Sequence, residues 1–234
     1  MDLQSLKQIV YETNLELVKR NLVIYTWGNT SAIDREKGIV VIKPRGVEYS
    51  DLEASDMSVV DLNTGKQIEK GLLPSVDLDI HLEIYKKYPT IGGIAHTHST
   101  YATAWSQAQR AIPVYGTTHA DHFFGDIPCT RHLSEEEVAT DAYEGNLGKL
   151  ICETIGDRDP LEMGAILAAG HGPFTWGKDA YSAVEHSVIL EELAKMASVT
   201  DSIQPGKEKL LPQYMTNRHY TRKYGANAYF YQSK

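Results

Sequence analysis

Hydrophobic residues at the start of the chain recur at the spacing of a helix. Apolar positions alternate with charged ones through residues 2–20, which predicts an amphipathic opening helix. The same pattern predicts a helix over residues 77–88 and a long one over 179–196. Shorter helices are predicted over residues 101–109 and 219–224, and from Ser134, which has capping-box spacing to Glu137.

Runs of β-branched and other apolar residues predict the strands. The first strand is predicted at residues 22–25, and a glycine-containing turn then leads into a second strand that ends near residue 34. Further strands are predicted at residues 39–42, 57–61, 91–98 and 165–169. Turns are predicted at 63–66 and 170–173, and residues 118–124 are predicted as strand or loop. Because strands and helices alternate irregularly, the pattern favours helices packed on a mixed sheet over regular βαβ units.

Composition is that of an ordinary globular protein. The chain has 234 residues, of which 42% are hydrophobic and 23% charged, so one domain spanning residues 1–234 is expected. The net charge of −8 argues against a nucleic-acid partner. No leader and no run of about 18 apolar residues is apparent, which predicts a cytoplasmic protein without a membrane partner. Cys129 and Cys152 are too few for a disulfide framework and are expected to be reduced.

Three histidines form the strongest chemical signal. His96 and His98 lie at i and i+2 of a predicted strand, so their side chains share a face, although they could be ordinary polar residues at a strand end. His171, in the later turn, offers a third imidazole. Three nitrogen ligands leave one coordination position open, which is typical of a catalytic metal site. Asp77, at a helix start, is a helix cap, a fourth ligand or a nearby base, and its local sequence favours the cap.

Polar turns supply candidates for binding an anionic substrate. Asn29 lies in one turn, and Lys43, Arg45 and Gly46 lie in another. Ser75 precedes a predicted helix, where free backbone N–H groups attract phosphate.

Further candidates lie later in the chain. Asp121 is either a general acid/base or a surface turn residue, and Glu144, on a helix, is a candidate substrate contact. The C-terminal region carries His219, Arg222 and two tyrosines, Tyr229 and Tyr231. Such a tail is either frayed or folded over a site on a neighbouring subunit.

Seven motifs occur in order along the chain. They are Thr26-Trp27-Gly28-Asn29, Lys43-Pro44-x-Gly46-Val47, Pro74-Ser75-x-Asp77, His96-Thr97-His98-Ser99, Gly116-Thr117-Thr118-His119-Ala120-Asp121, Ile127-Pro128-Cys129-Thr130-Arg131 and His171-Gly172-Pro173-Phe174. Together they resemble the class II aldolase/adducin family, and within it the L-ribulose-5-phosphate 4-epimerases, over essentially the whole chain. The resemblance implies a three-layer α/β/α sandwich around a mostly antiparallel sheet. It also implies a homotetramer with active sites between subunits and a divalent metal, usually Zn²⁺, with Mn²⁺ or Co²⁺ as alternatives.

The resemblance also implies a role for each candidate. His96, His98 and His171 would bind the metal, with Asp77 on or beside it. Asp121 and a tyrosine of the neighbouring subunit's tail (residues 206–234), either Tyr229 or Tyr231, would transfer protons on opposite faces of an aldehyde. Asn29, Lys43, Gly46 and Ser75 would hold a phosphate, and Thr117, Glu144, His219 and Arg222 would line the site. The implied reaction cleaves the C3–C4 bond of a ketose by retro-aldol chemistry and re-forms it after the aldehyde rotates.

Four residues depart from the family pattern. Arg45, Val76 and Gly170 stand where the family has serine, and Phe230 aligns with the family's catalytic tyrosine. Arg45 either clamps a phosphate in place of the lost hydroxyl or fills the pocket, and Val76 offers no hydrogen bond.

The expected function is therefore a metal-dependent epimerase that interconverts L-ribulose 5-phosphate and D-xylulose 5-phosphate. Arg45 and Val76 motivate an alternative, a 4-epimerase of an unphosphorylated ketose. A class II sugar-phosphate aldolase is a second alternative, against which Asp77 counts because the related fuculose-phosphate aldolases carry glutamate there. A non-catalytic adducin-like assembly module is a third, against which the histidine triad counts.

Overall fold

The computed structural model describes residues 1–206, 209–226 and 228–230. Within them, strands lie at β1 Asn29–Asp34, β2 Ile39–Ile42, β3 Ser58–Asp61, β4 Gly93–His96, β5 Ala165–Ala168 and β6 Gly172–Gly177. These form one sheet in the order β3-β2-β1-β4-β6-β5. Every pair of neighbouring strands in this sheet is antiparallel. The prediction of a mixed sheet from the order of elements is therefore wrong, and the mostly antiparallel sheet implied by the resemblance is confirmed.

The helices are distributed along the whole chain. They lie at α1 Leu3–Lys19, α2 Leu78–Lys87, α3 Thr100–Gln107, α4 Thr117–Ala120, α5 Glu135–Val138, α6 Tyr143–Ile155, α7 Pro160–Met163, α8 Ala180–Ile203 and α9 Gln213–Tyr224. Short 3₁₀ turns lie at Tyr49–Asp51 and Ala54–Asp56. Among the described residues, no helix is both long enough and apolar enough to cross a bilayer.

Alternating side chains of the sheet enter two hydrophobic cores. On β2, Val40 and Ile42 pack with α2 and α6, whereas Ile39 and Val41 pack with α1 on the opposite face. On β5, Leu167 packs with α3 and α8. Helices therefore cover both faces of the sheet, which confirms the three-layer α/β/α sandwich.

One prediction of local structure is wrong and two are right only in part. Residues 22–25 form a loop and not a strand, and Tyr25 within it is 71% exposed and has a φ of +52°, outside the range of extended backbone. The segment predicted as strand or loop at 118–124 instead begins with the helical turn α4. A turn is present where one was predicted at 170–173, but it ends at His171, because residues 172–173 already belong to strand β6. The glycines and proline of this strand are typical of turns, although all of its residues are buried.

Two glycines fix the position of the strand that carries His96. A Cβ atom on Gly92 would lie 2.0 Å from the Lys178 carbonyl oxygen, and one on Gly93 would lie 2.3 Å from the Ala180 nitrogen. Only glycine therefore allows the start of α8 to pack against β4.

Candidate active site

The three histidines converge at one end of the sheet. His96 is the last residue of β4, His98 follows it by two residues, and His171 lies in the turn between β5 and β6. The Nε2 atom of His96 lies 3.0 Å from that of His98 and 3.1 Å from that of His171. A tetrahedral zinc with Zn–N bonds of about 2.1 Å separates its nitrogen ligands by about 3.4 Å. The donor set and its spacing therefore fit a divalent ion of this kind.

Contacts with Pro173 and Phe174 orient the His96 ring for metal binding. Its Nδ1–H donates to the Pro173 carbonyl oxygen over 2.9 Å, which leaves the lone pair on Nε2 facing the other two rings. The ring also stacks on Phe174 with a centroid separation of 4.2 Å. Burial lowers the pKa of His96 to about 3 and also lowers the pKa values of His98 and His171. The imidazoles are consequently neutral at physiological pH, the state that binds a metal.

Asp77 does not cap the helix that it precedes. It occupies the N-cap position of α2, but its side chain makes no capping hydrogen bond. Its Oδ2 atom instead accepts hydrogen bonds from Asn29 Nδ2 at 2.7 Å and Ser75 Oγ at 3.3 Å. The cap favoured by the local sequence is therefore wrong, because a residue from β1 draws the carboxylate inward. Burial alone raises the pKa of Asp77, but the nearby imidazoles and the Asn29 hydrogen bond lower it below its usual value.

A cleft of about 460 Å³ opens beside the triad. It brings together eleven of the predicted site residues, namely Asn29, Lys43, Arg45, Gly46, Ser75, Val76, Asp77, His96, His98, Glu144 and His171. Residues far apart along the chain thus share one concave surface of a size suited to a small molecule.

The residues predicted to contact a phosphate differ in how exposed they are and in whether they have partners within the protein. Lys43 is 1% exposed, and its Nζ donates to the Val47 carbonyl oxygen at 2.9 Å and lies 4.6 Å from the centre of the Tyr49 ring. Arg45 is exposed, and its guanidinium makes no hydrogen bond or ion pair with another described residue. Val76 is 57% exposed at the cleft.

A second group of predicted residues lies away from this cleft, where α4 meets α9. Asp121 accepts hydrogen bonds from Arg222 Nε at 2.9 Å and Nη2 at 2.6 Å, and from His219 Nδ1 at 3.1 Å. Burial raises the pKa of Asp121, but these two partners lower it below its usual value. Asp121 is therefore an ion-paired carboxylate and not an ordinary surface turn residue.

Two further predicted residues, Thr117 and Tyr229, lie beside this α4–α9 group. Thr117 begins α4, and the backbone N–H of Tyr229 donates to the Arg222 carbonyl oxygen at 2.9 Å. Tyr229 is 59% exposed, and Tyr231 lies outside the described residues. Among the described residues, no member of the α4–α9 group lines the cleft of its own chain.

Sequence reasoning missed two aromatic residues of the cleft and one buried residue behind it. Trp27 and Tyr143 line the cleft, and the Trp27 ring lies 6.0 Å from the His98 ring. His81 is fully buried one turn after Asp77 on α2, and its Nδ1 lies 2.7 Å from Ser31 Oγ. The i,i+4 spacing of Asp77 and His81 was the available signal, since it places both side chains on one face of a helix.

Comparisons with known proteins agree with this architecture. A family model for the class II aldolase and adducin N-terminal domain matches residues 8–198. L-Fuculose 1-phosphate aldolase is 25% identical, with a TM-score of 0.79, and the match covers 95% of this chain and 97% of that one. YgbL from Klebsiella pneumoniae, assigned only broadly as an aldolase, epimerase or decarboxylase, is 24% identical, with a TM-score of 0.73 over 93% of this chain and 99% of that one.

L-Fuculose-1-phosphate aldolase from Thermus thermophilus has the same fold, with 22% identity and a TM-score of 0.68 over 88% of this chain and 100% of that one. The family match extends over most of the chain and includes all three histidines of the candidate metal site. The chain therefore belongs to the class II aldolase/adducin family, which includes metal-dependent aldolases and epimerases.

Proposed function

We propose that the protein is a metal-dependent ketose 4-epimerase that breaks and re-forms the C3–C4 bond. The observation that carries this proposal is the convergence of three neutral imidazoles beside a small-molecule cleft. His96, His98 and His171 would hold a divalent ion, most simply Zn²⁺, with Mn²⁺ or Co²⁺ as alternatives. When bound, the ion supplies positive charge that stabilises the negative charge developing on the cleaved sugar.

Asp77 supports epimerisation over release of two products. An aldolase must return a proton to the carbanion before its product can leave, whereas an epimerase must keep the carbanion unprotonated until the bond re-forms. The Asp77 carboxylate accepts hydrogen bonds from Asn29 and Ser75, so these partners hold it as a base rather than as a proton donor. The carboxylate is thereby suited to orienting the sugar without quenching it.

The α4–α9 group would supply the proton transfers to the aldehyde oxygen. Asp121 would serve one face, and Tyr229 or Tyr231 of the C-terminal tail the other. Because none of the described members lines the cleft of its own chain, we propose that a neighbouring subunit contributes them in a homotetramer. The cytoplasmic location and the single-domain organisation over residues 1–234 stay predictions.

A class II sugar-phosphate aldolase is the second candidate, favoured by the likeness to L-fuculose 1-phosphate aldolase. Product analysis separates the two. Metal-loaded protein is incubated with L-ribulose 5-phosphate and, separately, with L-ribulose, and the products are identified by NMR. The 4-epimer without free aldehyde is the expected result.

Accumulation of glycolaldehyde or its phosphate together with dihydroxyacetone would show an aldolase instead. The absence of any product from either sugar, in protein that contains metal, would contradict catalysis on these ketoses and favour the assembly module. His98→Ala serves as the inactive control, and His132→Ala, which changes an exposed histidine outside the site, as the active one.

A further inference from the structure

Two buried contacts join strand β1 to the start of helix α2 behind the histidine triad. Asn29 and Ser31 lie two residues apart on β1, so their side chains share one face of the sheet. Asp77 and His81 lie four residues apart and share one face of the helix. Asn29 donates to Asp77, and Ser31 Oγ lies 2.7 Å from His81 Nδ1. The two contacts are therefore neighbours, with His81 one helical turn behind Asp77.

A tyrosine extends the second contact into a chain of three buried polar groups. The Tyr85 hydroxyl, one further turn along α2, lies 2.8 Å from Ser31 Oγ. The side chains of Ser31, His81 and Tyr85 are all fully buried. Burial lowers the pKa of His81 to about 4, so the ring is neutral at physiological pH and carries one hydrogen. The direction in which this chain of hydrogen bonds runs decides which ring nitrogen holds that hydrogen.

One direction leaves fewer groups without a partner than the others. If Tyr85 donates to Ser31 and Ser31 donates to His81 Nδ1, the ring hydrogen lies on Nε2, and only this N–H is unpaired among the described residues. If Nδ1 donates to Ser31 instead, the Nε2 lone pair is unpaired, and so is the hydrogen of one of the two hydroxyl groups. Unpaired buried polar groups are costly, so the hydrogen belongs on Nε2.

The carboxylate of Asp77 is the charge that acts on this ring. Its negative charge raises the pKa of His81 against the larger effect of burial, and His81 lowers the pKa of Asp77 more than His171 does. Asp77 Oδ2 already accepts from Asn29 and Ser75, whereas Oδ1 makes no hydrogen bond with a described residue. Where water is excluded, an N–H dipole attracts a nearby carboxylate more strongly than it would in solvent. The unpaired donor of His81 and the carboxylate are therefore complementary.

We propose that His81 is a positioning residue for Asp77. The chain from Tyr85 through Ser31 fixes the ring with its hydrogen on Nε2, and the attraction between this N–H group and the carboxylate keeps Asp77 turned towards Asn29. Among the described residues, His81 belongs neither to the lining of the cleft nor to the histidine triad, so it acts only through Asp77. The inference rests on the proposed function, which gives the carboxylate its task.

The state of the ring can be measured without any turnover. Protein labelled with ¹⁵N in histidine is studied by solid-state NMR at neutral pH, with bound zinc and again in chelator, and His81 is assigned by the signal lost in His81→Gln. The hydrogen is expected on Nε2. Its ¹H shift should change in Asp77→Asn, which removes the charge but keeps the shape. It should not change in Asp79→Asn, an exposed carboxylate on the same helix.

A pair of substitutions separates positioning from packing. The amide nitrogen of His81→Gln reaches about as far as Nε2 and restores a donor there, whereas that of His81→Asn reaches only as far as Nδ1. His81→Asn should lower kcat about 10–100-fold, with KM nearly unchanged and one ion bound per chain. His81→Gln should recover most of this loss. His132→Asn, at an exposed histidine, is the matched control.

Each contrary result has a distinct meaning. A ring hydrogen on Nδ1, or a ¹H shift that is the same in Asp77→Asn and the wild type, would overturn the inference whether or not the protein is an epimerase. Equal losses of kcat in His81→Gln and His81→Asn would also overturn it, because packing alone would then explain the need for histidine. Failure of the wild type to convert either ketose would contradict the proposed function, and the NMR result would still decide how His81 meets Asp77.

Discussion

Asn29 Nδ2 donates a 2.7 Å hydrogen bond to Asp77 Oδ2 and so joins β1 to the start of α2 across 48 residues of sequence. Two features of the site go with this bond. It accompanies the lack of a capping bond from Asp77 to its own helix, and it holds the carboxylate close enough to His96 and His171 for their charges to lower its pKa. It also uses a donor that would otherwise be free for the substrate.

The Asn29–Asp77 bond can be tested by removing the amide. Asn29→Ala should lower kcat about 10–100-fold, the usual effect of losing a partner that orients a group beside a metal. Bound metal should stay near one ion per chain, because the three imidazoles are untouched. Asn63→Ala, in an exposed turn, is the control. Unchanged kcat in Asn29→Ala would show that the bond has no part in positioning Asp77.

His81 should make the stability of the metal-free protein depend on pH. Burial lowers its pKa to about 4, although Asp77 opposes the shift, whereas in the unfolded chain the value is about 6.5. Between these two pKa values the unfolded chain binds a proton at His81 and the folded chain does not. The free energy of unfolding therefore decreases as the pH falls through this range and increases as the pH rises. His81→Gln should reduce the slope of unfolding free energy by up to about 1.4 kcal/mol per pH unit.

The measurement is urea unfolding in chelator at several pH values between these two pKa values. Wild type and His81→Gln share every other titrating histidine, so the difference between their slopes reports His81 together with its interaction with Asp77. Identical slopes would contradict the assignment of His81 as a neutral buried group.

The contact between β4 and α8 requires glycine. Gly93→Ala would place a Cβ atom 2.3 Å from the Ala180 backbone nitrogen, and backbone on both sides would have to move. A destabilisation of more than about 2 kcal/mol is expected by analogy with overpacked cores. Gly71→Ala, with nothing closer than 3.8 Å, should change the unfolding free energy by less than about 0.5 kcal/mol. Equal stability of the two variants would show that the strand can shift freely.

A shared active site predicts complementation between inactive variants. His98→Ala lacks a metal ligand and Asp121→Asn lacks a proton-transfer group, so each should be inactive alone. In the proposed tetramer, one subunit contributes the histidine cleft of each active site and its neighbour contributes the α4–α9 group. An intact site therefore forms in a mixed tetramer where the cleft comes from an Asp121→Asn subunit and the α4–α9 group comes from a His98→Ala subunit. Activity of about a quarter of wild type should then appear after co-refolding. No recovered activity in mixed tetramers, shown by native mass spectrometry, would place both groups in one chain.

The sequence predicts those parts of the fold and of the site that depend on the spacing of nearby residues. Helix α1 and strands β2 and β3 follow from periodicity, and the structure brings His96, His98 and His171 together as their spacing and turn predicted. The antiparallel sheet, in contrast, came from the family resemblance, because the order of elements alone suggested a mixed one.

The sequence does not predict interactions that depend on distant residues. The role of Asp77 is set by Asn29, which lies on another strand, and no local pattern contains that contact. The motif around Lys43 predicts a residue of the cleft, but no local pattern predicts that its ammonium group also donates to the Val47 carbonyl oxygen and lies 4.6 Å from the centre of the Tyr49 ring. Strand β6 escapes prediction because glycine and proline in its sequence describe a turn equally well until the pairing with β4 and β5 is known.

The central claim is that three imidazoles hold a divalent ion, and metal analysis of the purified protein tests it most directly. Protein that is dialysed against a zinc salt and then against metal-free buffer should retain one zinc ion per chain. The X-ray absorption spectrum of the bound zinc should show coordination by nitrogen ligands. The ion should be lost in His98→Ala and kept in His132→Ala. Wild-type protein that retains no ion, or His98→Ala that retains it fully, would contradict the account.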